Sequence, residues 1–320
     1  MERIIGRFSG PKHGPLLIAF GAMHGNEPAG VKALEAIFEA LEKEPSKNPN
    51  FRFNGRMLGL IGNMKAFEKK VRFIEKDLNR QWTVENVAKA KQNNMESLSP
   101  ELQEMKAILN IIDTEIEAYQ PSQIVILDLH TTTAFGGIFT LPAEDADSEK
   151  IALALHAPVI RGLLEGLSGT TLHYFVQENF DHKISAVTFE SGQHNEPLSV
   201  NRAIAAITNC LRTVNCVLKD DVESKHDNIL IEYSESLPKM SELMYVHPIT
   251  PGDDFVMHPG FKNFQEVSKG QLLAKDTKGE ILAKEDGRIL MPLYQKQGED
   301  GFFIIKTIEG FSFEVEMLHC

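Results

Sequence analysis

The chain has 320 residues, 42% of them hydrophobic and 24% charged, a balance typical of a globular protein long enough for two domains. Its net charge of −12 argues against nucleic acids and anionic membranes as partners, because both need a basic surface, and no apolar run has the length of a membrane span. Three cysteines are too few for a disulfide framework, and charges interrupt the first segment, MERIIGRFSG, so we expect a cytoplasmic protein.

Short apolar runs alternate with helical patterns up to about residue 218. Buried strands are predicted for LLIAFGAM (16–23), GRMLGLIGN (55–63), IVILDL (124–129) and ISAVTFE (184–190). Amphipathic helices are predicted for PAGVKALEAIFEALEKE (28–44), ELQEMKAILNIIDTEIEAY (101–119), IALALHAPVIRGLLEGL (151–167) and PLSVNRAIAAITNCLRTVNCVL (197–218). This alternation predicts an α/β fold with a mixed, largely parallel sheet flanked by helices.

The pattern changes after about Asp220. Glycine and proline become frequent, and short alternating runs predict strands at ILIEYSES (229–236), QLLAKDT (271–277), RILMPLYQ (288–295) and FFIIKTIE (302–309). We therefore expect two domains, an α/β domain over residues 1–220 and a small, β-rich C-terminal domain over residues 221–320.

Two histidines and a glutamate follow predicted strands in a pattern typical of a zinc site. His24 and Glu27 are three residues apart where a strand gives way to a helix, so their side chains project to the same side. A His-x-x-Glu pair is common without a metal, but His130 also follows a buried strand, in DLHTTT. Carboxyl ends of neighbouring strands meet at one edge of an α/β sheet, where ligands bind. His24, Glu27 and His130 together predict a catalytic His₂Glu zinc site with one Zn²⁺ per chain.

Glu190 closes the apolar run ISAVTFE and is a candidate general base. A hydrolytic zinc site needs a base that is not itself a metal ligand, and burial at a strand end would raise the pKa of a carboxyl group toward the range useful for proton transfer. The alternative is a glutamate that caps the helix that follows.

The segment VRFIEKDLNRQW supplies candidate substrate-binding residues. Arg80 could bind a carboxylate with two hydrogen bonds, Asn79 adds a donor, and Arg72, eight residues before Arg80, could join them. The alternative is a solvated charged loop.

Four motifs together resemble the succinylglutamate desuccinylase/aspartoacylase family, a branch of the zinc carboxypeptidase-like hydrolases. They are His24-Gly25-Asn26-Glu27, Asp77-Leu78-Asn79-Arg80, Asp128-Leu129-His130-Thr131 and Glu190-Ser191-Gly192. The resemblance implies that His24, Glu27 and His130 are zinc ligands, Glu190 is the general base, and Arg72, Asn79 and Arg80 hold a substrate carboxylate. Asp128 would orient a ligand imidazole.

The sequence departs from the family at two places. Aspartoacylases have a second arginine about ten residues before the catalytic glutamate, where this chain has Glu178-Asn179-Phe180-Asp181-His182-Lys183. They also insert a C-terminal tyrosine into the site, and the matching stretch here, Gly298-Glu299-Asp300-Gly301-Phe302-Phe303, has none. Lys183 or His182 could replace the missing charge, or both could be surface residues.

The resemblance and the residues together predict a zinc-dependent hydrolase that cleaves the amide bond of an N-acyl amino acid or a related small carboxylate. One alternative is a zinc metallocarboxypeptidase that trims a peptide C-terminus, which would need an open groove where a deacylase has a small pocket roofed by the C-terminal domain. The other is a zinc-binding module without catalysis. The expected partner is a small carboxylate-bearing substrate, and formation of a homo-oligomer is left open.

Overall fold

The computed structural model of the protein describes residues 2–221 and 225–310. Its helices are α1 (Ala29–Lys47), α2 (Met64–Lys69), α3 (Val84–Gln92), α4 (Pro100–Tyr119), α5 (Ala146–Ala154), α6 (Thr171–Tyr174), α7 (Leu198–Thr213) and α8 (Lys225–Ser234). The strands of the first two-thirds of the chain are β1 (Ile4–Ser9), β2 (Lys12–Gly21), β3 (Asn54–Ile61), β4 (Ile124–Thr132), β5 (Phe139–Pro142), β6 (Val159–Arg161) and β7 (Ile184–Gln193). The later strands are β8 (Met240–Pro248), β9 (Val256–Met257), β10 (Glu266–Val267), β11 (Leu272–Asp276), β12 (Gly279–Leu282), β13 (Gly287–Leu290) and β14 (Asp300–Thr307).

One large mixed sheet forms the centre of the molecule. It has 11 strands in the order β1-β3-β2-β4-β7-β5-β6-β8-β14-β13-β10, and the neighbours β3, β2, β4 and β7 run parallel. Strand β5 pairs antiparallel with β7, and the strands from β8 onward add antiparallel pairs. The predicted fold class, a mixed and largely parallel sheet flanked by helices with a β-rich C-terminal part, is confirmed.

The central strands are apolar on both faces because helices cover both sides of the sheet. In β2, Leu16 and Ile18 belong to the hydrophobic core on the side of the sheet that α4 covers. Leu17 and Ala19, which alternate with them, belong to the core on the other side, which α1 and α7 cover. This alternation follows from the two-residue period of a strand. It explains why the parallel strands read as continuous hydrophobic runs and why both helical layers are amphipathic.

Two predicted elements are wrong. The segment 151–167 is not one helix: α5 ends at Ala154, and β6 and a 3₁₀ turn at Leu164–Gly166 follow. Pro158 lacks a backbone donor and disfavours helical geometry in the residue before it, so the helix cannot continue through it. The run ILIEYSES lies largely in helix α8 rather than in a strand, because Ile229, Leu230 and Tyr233 pack on one core at helical spacing.

The large sheet contains strands from both sides of residue 220 in the sequence. Strand β6 pairs parallel with β8 at Val159↔Met240, and β8 continues the sheet to β14. The division into domains at residue 220 stays a prediction. Among the residues that the structure describes, no helix is both long enough and apolar enough to cross a membrane.

Candidate metal centre and substrate cavity

The candidate site lies where β2, β4 and β7 end side by side. His130 of β4 is directly opposite Glu190 of β7 in the parallel register, and the chain leaves β2 through the turn that carries His24 and Glu27. That turn precedes α1, which begins at Ala29, so His24 and Glu27 lie at the junction of strand and helix and not within the helix itself. The carboxyl edge of the sheet nevertheless brings the three predicted ligands together.

His24, Glu27 and His130 form a compact, buried group that could hold a metal ion. Their ligand atoms lie within 4.8 Å of one another. His24 Nδ1 is 2.8 Å from one oxygen of Glu27, and His130 Nδ1 is 3.3 Å from the other. Burial alone would raise the pKa of Glu27, but the adjacent imidazoles hold it well below its usual range. The carboxylate is therefore charged, as a metal ligand must be.

A second carboxylate lies behind each imidazole. His24 Nε2 is 3.0 Å from Asp77 Oδ1, and His130 Nε2 is 3.1 Å from Asp128 Oδ2. Burial opposes the charge on Asp77, yet Arg72 and His24 hold its pKa well below the usual range. Such carboxylates orient a ligand imidazole and leave the other ring nitrogen, here Nδ1, facing the site. Asp128 lies beside His130 but without hydrogen-bond geometry to its Nε2, so its orienting role stays a prediction. The contact of Asp77 with His24 was missed, although the Asp-Leu-Asn-Arg motif contained the residue.

Glu190 faces the same site from β7 and is 6% exposed. Burial raises the pKa of its carboxyl group to about 8, against the influence of His130 and with a further contribution from Glu27. Within residues 2–221 and 225–310, Glu190 Oε2 is a buried oxygen without a hydrogen-bond partner. Glu190 does not end its strand, because β7 runs to Gln193, and α7 begins only at Leu198 with Pro197 as its cap. The helix-capping alternative therefore fails.

Arg72, Asn79 and Arg80 also line the cavity, but each already has partners. Arg72 Nε and Nη2 lie 3.0 and 2.9 Å from Asp77 Oδ2. Asn79 Oδ1 accepts from the Thr171 backbone N–H at 2.9 Å. Arg80 Nη2 donates to Asp300 Oδ2 at 2.5 Å. Arg72, Asn79 and Arg80 are therefore part of a structured wall of the cavity, whereas Glu75 and Lys76 of the same loop are exposed, as a solvated loop requires.

Glu101, in the first turn of α4, holds this loop from behind. Its carboxylate is 1% exposed and accepts from the backbone N–H groups of Ile74, Glu75 and Lys76, at 2.7, 3.3 and 3.3 Å. A buried carboxylate that accepts several N–H bonds fixes the path of the chain around it. Sequence reasoning missed Glu101 because nothing in its local pattern distinguishes it from the other charges on α4.

The part of the chain after β8 covers the site. Asn26 Nδ2 donates to Gln295 Oε1 at 2.8 Å, and the Arg72 backbone N–H donates to Gln297 Oε1 at 3.2 Å. The cavity beneath has a volume of about 90 Å³. Such a narrow, roofed space fits a small molecule better than a polypeptide.

Three further positions bear on the sequence-based predictions. Lys183 pairs with Asp147 at 2.7 Å on the surface, and neither it nor His182 is among the described residues that line the cavity, so the surface alternative holds for both. His194, which sequence reasoning passed over, does line the cavity, and its Nδ1 is 2.7 Å from Thr131 Oγ1. Burial lowers its pKa, so it presents a neutral imidazole.

Comparison with known proteins identifies the family. Residues 13–214 match the model of the succinylglutamate desuccinylase/aspartoacylase catalytic domain. A succinylglutamate desuccinylase from Pseudomonas putida is 27% identical over 297 residues, covering 87% of this chain and 78% of that protein. A probable aspartoacylase from Nostoc sp. is 25% identical, covering 86% of this chain and 88% of that protein.

Solved structures share the fold. The crystal structure of a succinylglutamate desuccinylase/aspartoacylase from Rhodobacter sphaeroides superposes with a TM-score of 0.63 at 16% identity, over 93% of this chain and 87% of that one. The product-bound ectoine utilization protein EutE (DoeB) from Ruegeria pomeroyi gives 0.62 at 18% identity, over 94% and 88%. The predicted resemblance is thus confirmed, and the chain belongs to the succinylglutamate desuccinylase/aspartoacylase family of deacylating hydrolases.

Proposed function

We propose that this chain is a zinc-dependent deacylase that hydrolyses the amide bond of a small N-acyl amino acid. The observation that carries the proposal is one arrangement at the carboxyl edge of the sheet. There the group His24, Glu27 and His130 lies beside the buried Glu190, whose free oxygen faces the cavity.

The donor set fits zinc. Two imidazole nitrogens and one carboxylate oxygen are the ligands of catalytic zinc sites, which keep a further position open, whereas purely structural sites close with four protein ligands. When bound, zinc polarises a carbonyl group and lowers the pKa of water. Asp77 supports this assignment, because its hydrogen bond would fix the tautomer of His24. Asp128, 3.1 Å from Nε2 of His130, is placed to act on the second imidazole in the same way.

Glu190 would move the proton. In the proposed reaction it accepts a proton from the attacking water and delivers it to the leaving amine nitrogen. Its elevated pKa suits both steps, since a group that titrates near the working pH can accept and then release a proton. This role also accounts for a buried carboxylate oxygen that has no partner within the described residues.

The positioning residues would act on the substrate carboxylate. Arg80 retains N–H groups beyond those that bond Asp300 and the Asn79 backbone, and these are available to a carboxylate. Asn79 and Arg72 line the same wall. Holding the carboxylate there would direct the scissile carbonyl toward the metal ligands, and correct placement of reacting groups lowers the barrier substantially.

The roof favours deacylation over peptide trimming. Gln295 and Gln297 contact the turn and the loop that carry the site, so a long peptide has little room to extend from it. A cytoplasmic location is part of this proposal and rests on composition, to which the free, buried Cys210 and Cys216 add support.

The test is an assay of the zinc-loaded enzyme against N-acyl amino acids and short peptides, with release of free amine as the readout. We expect hydrolysis of N-acyl amino acids that a chelator abolishes and added zinc restores. Hydrolysis confined to peptide C-termini would indicate a carboxypeptidase instead. Stoichiometric zinc without turnover of any compound would indicate a binding module.

A further inference from the structure

We propose that the preferred substrate carries a single carboxylate and an apolar group, and is not a di- or tricarboxylate. This inference rests on the proposed deacylase function and specifies its substrate class. Two features of the cavity carry it, namely an apolar wall and the pairing of its cationic groups.

One wall of the cavity is apolar. Its side chains come from β5, from the segment around the 3₁₀ turn after β6, and from the strands and loop that roof the site. They are Leu141, Leu163, Leu164, Leu167, Met291, Leu293 and Phe303. Most of them belong to a hydrophobic cluster that joins the two parts of the chain, so the wall is held firmly in place. An apolar surface of this kind stabilises an apolar substituent by removing it from water.

The positive charge of the cavity is already neutralised. Among the described residues that line it, the only lysine or arginine side chains are Arg72 and Arg80. Arg72 is paired with Asp77, and Arg80 is paired with Asp300. Glu299, next to Asp300, adds a further acid to the same lining. One substrate carboxylate can share Arg80. A second would meet no further lysine or arginine among the described lining residues, which are otherwise apolar side chains, these acids and neutral polar groups such as threonines, Gln295 and the neutral His194.

An unpaired carboxylate at such a wall would lose its hydration without gaining a partner. An apolar group in the same place gains contacts, and in enzymes one methylene in an apolar pocket changes kcat/KM by roughly 10–200-fold. The cavity therefore selects against a second carboxylate and for an apolar substituent of the acyl group or the amino acid.

The first experiment compares kcat/KM of the zinc-loaded wild-type enzyme for two groups of compounds. N-Acetyl-L-leucine and N-hexanoylglycine place an apolar group on the amino acid or on the acyl side, whereas N-acetyl-L-aspartate and N-succinyl-L-glutamate add carboxylates. We expect at least one apolar compound to exceed both polycarboxylates by about tenfold or more. Equal or faster turnover of a polycarboxylate would overturn the inference while supporting the deacylase function.

A binding measurement separates the inference from the proposed function. Calorimetric titration of the zinc-loaded Glu190→Gln enzyme with the same compounds reports affinity without turnover. Tighter binding of an apolar compound, together with no hydrolysis by the wild type, would refute the deacylase and retain the ligand class. Binding of none of the apolar compounds, or preferential binding of a polycarboxylate, would refute the inference.

Two matched variants test the wall itself. Leu167 and Leu243 are both partly buried members of the same hydrophobic cluster, but only Leu167 lines the cavity. We expect Leu167→Ala to lower kcat/KM for the preferred apolar compound about tenfold while changing that for N-acetylglycine by less than about threefold. Leu243→Ala should leave both values near those of the wild type. Equal losses for both compounds, or equal effects of the two variants, would contradict a specificity role for the wall.

Discussion

Arg80 and Asp300 form an ion pair that joins the loop before α3 to the first residue of β14, with 2.5 Å between Nη2 and Oδ2. Both side chains are largely buried, at 13% and 15% exposure. The later strands therefore do more than cover the site, because one of their carboxylates partly neutralises Arg80, the residue proposed to bind the substrate carboxylate.

Replacing Asp300 with asparagine should free Arg80 for anionic substrates. Two unit charges 4 Å apart interact by about 4 kcal/mol at an effective dielectric constant of 20. Removing the competing carboxylate could therefore strengthen the binding of an anionic substrate measurably. We expect kcat/KM for N-acetyl-L-aspartate to rise by about tenfold, which corresponds to about 1.4 kcal/mol. Asp286→Asn, which makes the same charge change at an exposed position outside the cavity, is the control. An unchanged or lower value for Asp300→Asn would show that Asp300 does not compete with the substrate.

Removing either histidine of the metal group should release the metal. His24→Ala and His130→Ala each leave two protein ligands, and two ligands hold zinc much more weakly than three. Metal analysis of the purified, folded variants is the measurement, and His258→Ala, at an exposed histidine, is the control. Stoichiometric zinc in both site variants would remove His24 and His130 from the proposed ligand set.

The Glu190→Gln variant should retain zinc and its melting temperature but lose turnover. Glutamine keeps the size and a hydrogen-bonding oxygen of Glu190 but cannot accept the proton, and general bases contribute roughly 10²–10⁴-fold to rate. We expect kcat to fall by at least about a hundredfold, with Glu178→Gln, at an exposed site, as the matched substitution. A Glu190→Gln enzyme with stoichiometric zinc, an unchanged melting temperature and a kcat close to that of the wild type would contradict the proposed mechanism.

Loss of the Glu101 carboxylate should weaken both the fold and substrate binding. Glu101→Ala leaves the backbone N–H groups of residues 74–76 without their acceptor. Hydrogen bonds to charged groups contribute about 1.5–3 kcal/mol to the free energy of unfolding. Denaturant unfolding should show a loss of that order. KM should rise more than kcat falls, because Arg80 and Asn79 follow this segment. Glu96→Ala, at an exposed position just before α4, should change neither. Unaltered stability and KM in the Glu101 variant would exclude this positioning role.

Local sequence was sufficient for much of the fold and for choosing the three residues that the structure brings together as a candidate metal group. The continuous apolar run of β4 identifies a strand covered on both faces, and the residue that follows such a run must lie at the carboxyl edge of the sheet. His130 was therefore predictable from its own neighbourhood, as were His24 and Glu27 from theirs. Local pattern failed where an element was short or depended on a distant surface, as in β6 and α8.

The sequence by itself determined which residue types stand at strand ends, because hydrophobic periodicity and strand length are local properties. Only the tertiary structure decided what those residues meet. Asp300 lies 220 positions from Arg80, and the leucines of the apolar wall come from segments that the sheet brings together across the whole chain. Contacts of this kind depend on strand order and on the path of the chain over the site. They form when the hydrophobic faces of distant segments pack against one another, and the local sequence of either segment does not show which partner it will meet.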